Sequence, residues 1–550
     1  MHKFSPARFL LLASYLAIGL GLFITRPVAA QDEAEEMVNI KLSGEMQPGG
    51  SVGYRQTVLI SPDGRYAVYE ADAEIDGVFD VYSVFVAPDS RPVRLSNFWL
   101  PGHAVRQYAI TADSRQVIYI AAGDTIGVYE LYAVAVAGGG APVRLNPALV
   151  PGGNVHSFTI SPDGRHVLYL ADQATDGKLE LFSVPVDGGP AIRLNEALPV
   201  SGNVLHFAVS PDSRRVVFLA DARRDGIFEL YSVAIDGGPV TLLNGKLADG
   251  GLVDSFRISP DSAWVVYLAD QAWAGTLELY SVPITGGTAV KLNPALPTGG
   301  AVTTHMQISA DSRRVVYLAA QDRPTMRELY SVPIAGGPSV RLNGTLVSGS
   351  EVGRFEISGD SRWVVYNAAA SERHHYELFS VPIAGGEVVR LNSPLFAEGD
   401  VNHHLISPDS RRVVYLADDQ QDNYFELFSV AIDGGNVTRL TSRTSTFGAI
   451  LRYEISPDSR AVVYHADYDA AQEYELYSVP IAGGEEVALN GPLVTGGRVW
   501  EYILSPDGRG VTYVADQDAA GRAELYATVD ESDNTSLAIQ IFLPMSMSGK

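Results

Sequence analysis

The stretch ISPDGRHVLYLADQATDGKLELFSVPVDGGPAIRLN, residues 160–195, decides the fold. Together with the residues just before it, it reads as four short strands joined by turns. Val155 to Ile160 is strand a, and Ser161-Pro162-Asp163-Gly164 is a turn in which Pro fixes φ and Gly permits the left-handed position. Arg165 to Ala171 reads as strand b, alternating and β-branched. A polar loop around Asp176-Gly177 leads to strand c at Leu179 to Val186. Asp187-Gly188-Gly189 is a tight hairpin turn, and Ala191 to Leu194 is strand d. No segment of the chain sustains a 3.6-residue apolar period.

Outward from this stretch the pattern recurs ten times, with its acidic anchor at Asp63, Asp113, Asp163, Asp212, Asp261, Asp311, Asp360, Asp409, Asp458 and Asp507. Successive anchors stand 49 or 50 residues apart, so no interdomain linker separates any two copies. Four short antiparallel strands at such a period are the signature of a propeller blade. The expectation is an all-β chain, a β-propeller of ten four-stranded antiparallel blades over residues 38–530. Propellers usually have about 4 to 8 blades, so two closed rings of five stay open beside one continuous ring, which the absence of a linker favours.

The "SPDG-R" or "SPDS-R" turn, the following "VVYLAD", and the "ELYSV" strand ending in a Gly-Gly hairpin resemble the WD40-like repeat of the TolB type, also called the PD40 repeat. The resemblance covers nearly all of residues 38–530. It implies a propeller, innermost strands a, and binding of proteins, peptides or carbohydrates; some members carry an added catalytic domain or a metal site.

Both ends of the chain offer a closing strand. Val38 to Ser43 followed by Gly49-Gly50-Ser51-Val52 repeats the strand d to strand a stretch of other copies, such as Val143 to Asn146 before Gly152-Gly153-Asn154-Val155. This segment can complete the last blade, Tyr502 to Val529, and seal the edge that an open ring exposes. Leu537 to Leu543 is also a good strand for the same place, within a C-terminal strand and tail at 531–550.

Residues 1–30 read as a secretory signal: His2, Lys3 and Arg8, then the apolar Phe9 to Ile24, then Val28-Ala29-Ala30 before Gln31. The apolar run is shorter than the roughly 20 residues that span a bilayer, so cleavage after Ala30 is expected, with an uncleaved membrane anchor as the alternative. An acidic segment, 31–37, follows. The mature chain is therefore expected to carry no transmembrane segment and to be periplasmic, cell-surface or secreted, as a monomer. The protein has 550 residues and no Cys, which excludes disulfide scaffolds and Cys-ligated metals. Its net charge of −24 argues against a nucleic-acid partner.

Residues that recur from blade to blade are expected to be structural rather than catalytic. These are the anchor Asp, the nearby Arg (Arg65, Arg115, Arg165, Arg214, Arg313, Arg362, Arg411, Arg460, Arg509) and the acid that opens strand c, such as Glu180. Turn capping and Arg to carboxylate pairing are their expected work. Function is better sought where the copies differ. Six residues before the anchor the series runs Thr57, Gln107, Ser157, His206, Ser255, His305, Arg354, His403, Arg452, Glu501, and same-face neighbours add Arg257, Gln307, Glu356 and Glu454. With strand a innermost, these line the channel. The expected ligand-binding wall is thus His206, Arg257, His305, Arg354, Glu356, His403, Arg452, Glu454 and Glu501.

Other motifs are weaker. Gly49 to Gly53 matches G-x-S-x-G, but no hydrolase domain supplies a helix or triad partners for Ser51. His374-His375 reads as a solvated loop pair. The Asp-rich b to c loops, such as Asp72 to Asp80 and Asp418 to Asp422, lack EF-hand spacing. No cofactor and no metal site are implied. The leading expectation is a non-enzymatic exported scaffold for a protein or carbohydrate. The alternatives are a metal-assisted lyase of the oligogalacturonate type, which needs His206, His305 and His403 to converge, and a structural envelope component.

Overall fold

The computed structural model describes residues 37–53, 58–96, 105–123, 125–370, 375–395, 399–419, 424–441, 450–468 and 473–530. Among them the chain is entirely strands and turns, paired into ten four-stranded antiparallel sheets. In nine sheets the spatial order follows the chain order a-b-c-d. In the third blade these strands are Val155–Ile160, His166–Ala171, Glu180–Pro185 and Ile192–Arg193.

Strand d is shorter than the expected Ala191 to Leu194, and the reason is local. The Leu194 N–H turns to the Leu181 carbonyl, and the Asn195 side chain accepts the Leu181 N–H at 2.8 Å. The asparagine therefore caps strand c and ends the outer strand after two ladder residues, which suits an edge. Strand b departs from simple alternation because Val167 to Ala171 is buried on both faces, as expected for a strand sandwiched between neighbouring blades. On it Tyr169 stacks on Phe182 of strand c, with centroids 5.3 Å apart. The same cross-strand pair recurs from Tyr69–Tyr82 to Tyr513–Tyr526, each contributing about 0.5–1.5 kcal/mol beyond its buried area.

The repeated turn joins blades as well as strands. Asp163 Oδ1 accepts the Ser161 hydroxyl at 2.6 Å and the Arg165 N–H at 3.1 Å, which closes the turn. Partial burial pushes the Asp163 carboxyl up, yet these two donors outweigh it and hold the group below its ordinary pKa. Its own N–H donates at 2.9 Å to Ser213 Oγ in the next blade. The tie repeats at Asp63–Ser114, Asp212–Ser262, Asp261–Ser312, Asp311–Ser361, Asp360–Ser410 and Asp409–Ser459. Each of these serines sits at φ between 59° and 63°, a left-handed conformation that ordinarily favours Gly.

The ion pairs follow a different pattern from the one expected. The turn arginines Arg115, Arg313, Arg411 and Arg460 come no closer than 3.7–4.0 Å to their own anchor carboxylates and are 83–88% exposed, a geometry that contributes little. The acid opening strand c pairs instead with the cation of strand d. Arg193 lies 2.9 Å from the buried Glu180, and Arg390 lies 2.8 Å from Glu377.

Ten hydrophobic clusters hold the blades together, each straddling two consecutive ones. Val266, Leu268 and Leu279 of blade 5 pack on Val302, Met306 and Tyr317 of blade 6. Val514, Leu525 and Ala527 of blade 10 pack on Val52, Val58 and Tyr69 of blade 1. Two rings of five would need blade 5 to face blade 1, so the arrangement is one ring of ten. The N-terminal strand closes it: Met37–Lys41 is the fourth strand of blade 10, in antiparallel register from Met37 opposite Asp530 to Lys41 opposite Tyr526. Lys41 lies 2.8 Å from the buried Glu524, the place that Arg193 takes against Glu180. Leu537 to Leu543 and the expected signal at 1–30 lie outside the described residues. Among the described residues no helix is long and apolar enough to cross a membrane.

Candidate functional site

Strands a of neighbouring blades approach closely enough for side chains of one to bond the backbone of the next, which makes them the innermost strands. Gln107 donates to the Phe158 carbonyl at 3.0 Å and accepts the Phe158 N–H. Gln307 bridges the Phe355 carbonyl and the Ile357 N–H. In blades 2 to 10 strand a is bulged near its start, as between Val204 and His206. The residues six and four before the anchor share the channel face by the period of two, while those five before it, such as Phe158 and Phe256, are buried between blades.

Several of the nine nominated side chains turn out to be ties of this kind. Glu356 accepts the Ile406 N–H at 3.1 Å, and Glu501 accepts the Val58 N–H at 3.2 Å. Burial raises the pKa of both carboxyls and outweighs those N–H donors and the neighbouring arginines. His403 Nδ1 lies 2.9 Å from the Tyr453 hydroxyl of the next blade; burial, aided by the Arg354 charge, lowers its pKa. His206 packs its ring against Phe256 at 5.4 Å, and burial lowers its pKa as well. Arg452 pairs with Glu454 and lies 4.9 Å over the Tyr502 ring. The wall is polar largely because its side chains stitch the inner strands together.

Blades 5, 6 and 7 differ. There a pocket of ≈ 410 Å³ is lined by Arg257, Thr304, His305, Met306, Gln307, Gly353, Arg354, Phe355 and Glu356. It gathers four of the nominated residues, Arg257, His305, Arg354 and Glu356; His206, His403, Arg452, Glu454 and Glu501 do not line it. Arg257 donates its Nε–H to the Met306 carbonyl at 3.1 Å. Thr304 and Gly353 were missed by counting only alternate positions. Gly353 had a readable signal, since the residue seven before the anchor is glycine in this blade alone. A Cβ there would meet Asn367 Oδ1 at 2.8 Å and Tyr376 Cε1 at 3.3 Å. That same Asn367 oxygen accepts the Arg354 N–H at 2.6 Å and fixes the backbone that carries the guanidinium.

The remaining motifs resolve into structure. Ser51 of the G-x-S-x-G string donates its N–H to Asp72 at 2.6 Å, as Asn154 does to Asp172. The second oxygen of Asp172 accepts the Gly177 N–H, so the b to c loop acids serve as loop caps. Among the described residues no three His, Asp or Glu side chains are grouped to hold a metal ion. Thr57 and His374 lie outside the described residues.

The fold and site together define a ten-bladed β-propeller with a polar channel wall and an arginine-lined pocket in it. No family model matches the sequence, and no curated protein matches it. Solved structures similar to it include a eukaryotic initiation factor (TM-score 0.46, 11% identity, 74% of this chain and 93% of that one). A protein assigned as TolB from Agrobacterium tumefaciens gives a TM-score of 0.28 at 18% identity, over 52% of this chain and 93% of that one. An oligogalacturonate lyase from Vibrio parahaemolyticus gives 0.34 at 13% identity, over 68% and 98%. Scores at this level establish no kinship, and the ten-bladed ring rests on its own strand pairing.

Proposed function

We propose that this is an exported propeller of the TolB-type, PD40-repeat kind that serves as a binding scaffold for a protein or carbohydrate and performs no chemistry of its own. The observation that supports this most is the pocket between blades 5 and 7. It gathers recognition groups on a wall where several other polar side chains, such as Gln107, His403 and Glu501, are already bonded to neighbouring strands. A preformed concave site with a few convergent polar groups is the usual form of a binding site. The lyase alternative draws no support from its three histidines, which stand on blades 4, 6 and 8. His403 is bonded to Tyr453 and His206 packs on Phe256.

The test is thermal unfolding with Ca²⁺, Mn²⁺, Zn²⁺, EDTA and acidic and neutral oligosaccharides, with product formation followed in parallel. A ligand that binds only the folded state raises the transition. A shift without turnover is the expected result. Turnover of a polyuronate that disappears when His206, His305 and His403 are changed together to Ala would replace the scaffold by the lyase.

A further inference from the structure

The channel-wall arginines are not alike. The Arg452 guanidinium is paired with Glu454. By contrast, the Arg354 guanidinium and the His305 ring have no hydrogen-bond or ion-pair partner among the described residues, and Arg257 has only its Nε bond to Met306. All three line the same pocket. In a chain whose net charge is −24, the pocket brings together two arginines that form no ion pair within 4.0 Å among the described residues.

Their acidic neighbour is engaged elsewhere. Glu356 is held by the Ile406 N–H, and no ion pair joins it to Arg354 within 4.0 Å among the described residues. The backbone beneath Arg354 is fixed by Asn367, and Gly353 must remain glycine for that contact to exist. The guanidinium is thus carried on a braced strand. Met306 and Phe355 also border the pocket, but their side chains are buried in the cores between blades. Guanidinium groups recognise planar carboxylates through paired N–H donors.

From this we propose that the pocket binds the carboxylate of a compact ligand, with Arg354 and Arg257 as its donors. This deepens the scaffold reading and rests on it for the location of the site. The carboxylate has two sources, a free small organic acid or the C-terminus of a peptide, and the chemistry recognised is the same.

Titration calorimetry on the full protein, with succinate, the peptide acetyl-Ala-Ala-Ala and the same peptide as its C-terminal amide, tests the proposal. Binding of succinate alone points to a free acid, and binding of the peptide acid points to a chain end. Either supports the proposal if Arg354→Met weakens it by about ten- to a hundredfold, the range for hydrogen bonds to a charged group, and Arg452→Met does not. Arg354 is exposed, so its substitution leaves the fold intact, which circular dichroism checks; Arg257→Met repeats the test independently. Equal binding of acid and amide, an unchanged affinity in Arg354→Met, or no binding of either acid overturns it. Binding of neutral oligosaccharides with no response to the acids would end the carboxylate assignment and leave the scaffold reading standing. Bound acids that are chemically converted would do the reverse.

Discussion

Replacing Ser312 separates two opposed contributions at one atom. Its Oγ accepts the Asp261 N–H of the preceding blade at 2.9 Å, and its backbone stands at φ 61°. Ser312→Ala keeps the left-handed strain and removes the bond, so it costs about 1 kcal/mol, the net value of one hydrogen bond. Ser312→Gly also removes the bond but relieves about 1–2 kcal/mol of strain, of which about 0.4–1 kcal/mol is offset by the freer unfolded chain. The glycine protein should therefore fall within about 0.5 kcal/mol of the parent and above the alanine protein. The turns of blades 1, 3 and 10 carry Gly64, Gly164 and Gly508 at this position, so the backbone accepts it. Denaturant unfolding gives the order of stabilities, and amide exchange at Asp261 reports the tie directly. Equal losses in the two proteins, or unchanged exchange at Asp261 in both, would refute the account of why serine tolerates this conformation.

Three further outcomes are expected. Lys41→Met leaves the buried Glu524 with Arg522 at 3.3 Å and the Tyr526 hydroxyl as its remaining partners; it should cost about 1–3 kcal/mol and speed amide exchange along Glu524–Asp530, whereas unchanged exchange would show that the closing strand does not depend on this pair. Burial, reinforced by the Arg354 and His403 charges, pushes His404 down to about 3, and burial pushes His465 down to about 4. Unfolded histidines take up protons below about pH 6.5 while these stay neutral, so stability should fall from pH 6.5 towards 4 by several kcal/mol; a parallel pH profile in His404→Phe would contradict this. Gly353→Ala must displace Asn367 or Tyr376 and should cost about 1–3 kcal/mol, read as a lowered midpoint of thermal unfolding; an unchanged midpoint would mean that the Gly353 contact is loose.

The blades were legible because each turn is chemically self-contained. Ser161, Pro162, Asp163 and Gly164 specify their own geometry, and a period of 49 or 50 residues leaves nothing between copies. The Tyr169–Phe182 stack and the Glu180–Arg193 pair were not foreseen, since both depend on register across strands and neither pattern is local. The candidate site was half legible. Alternation along strand a places Arg354 and Glu356 on one face, but only the neighbouring blade determines that Glu356 finds the Ile406 N–H while Arg354 finds no partner. His404 stands where Phe158 and Phe256 stand in other blades, and that a histidine is wholly buried at this place is visible only in the structure.

Closure by Met37–Lys41 also sets an order of assembly. Lys41 and Asp518 are 477 residues apart, against 13 for Arg193 and Glu180, and for a flexible chain that difference adds about 3 kcal/mol to the entropy of bringing the ends together. A growing stack of blades changes the problem, because each new interface bends the arc further and carries the first strand toward the place where the last will appear. During synthesis Met37–Lys41 emerges first and must wait, unpaired, until Glu524–Asp530 has left the ribosome. The earliest strand made is thus the last to dock, and any chain stopped short of residue 530 is left with two raw edges.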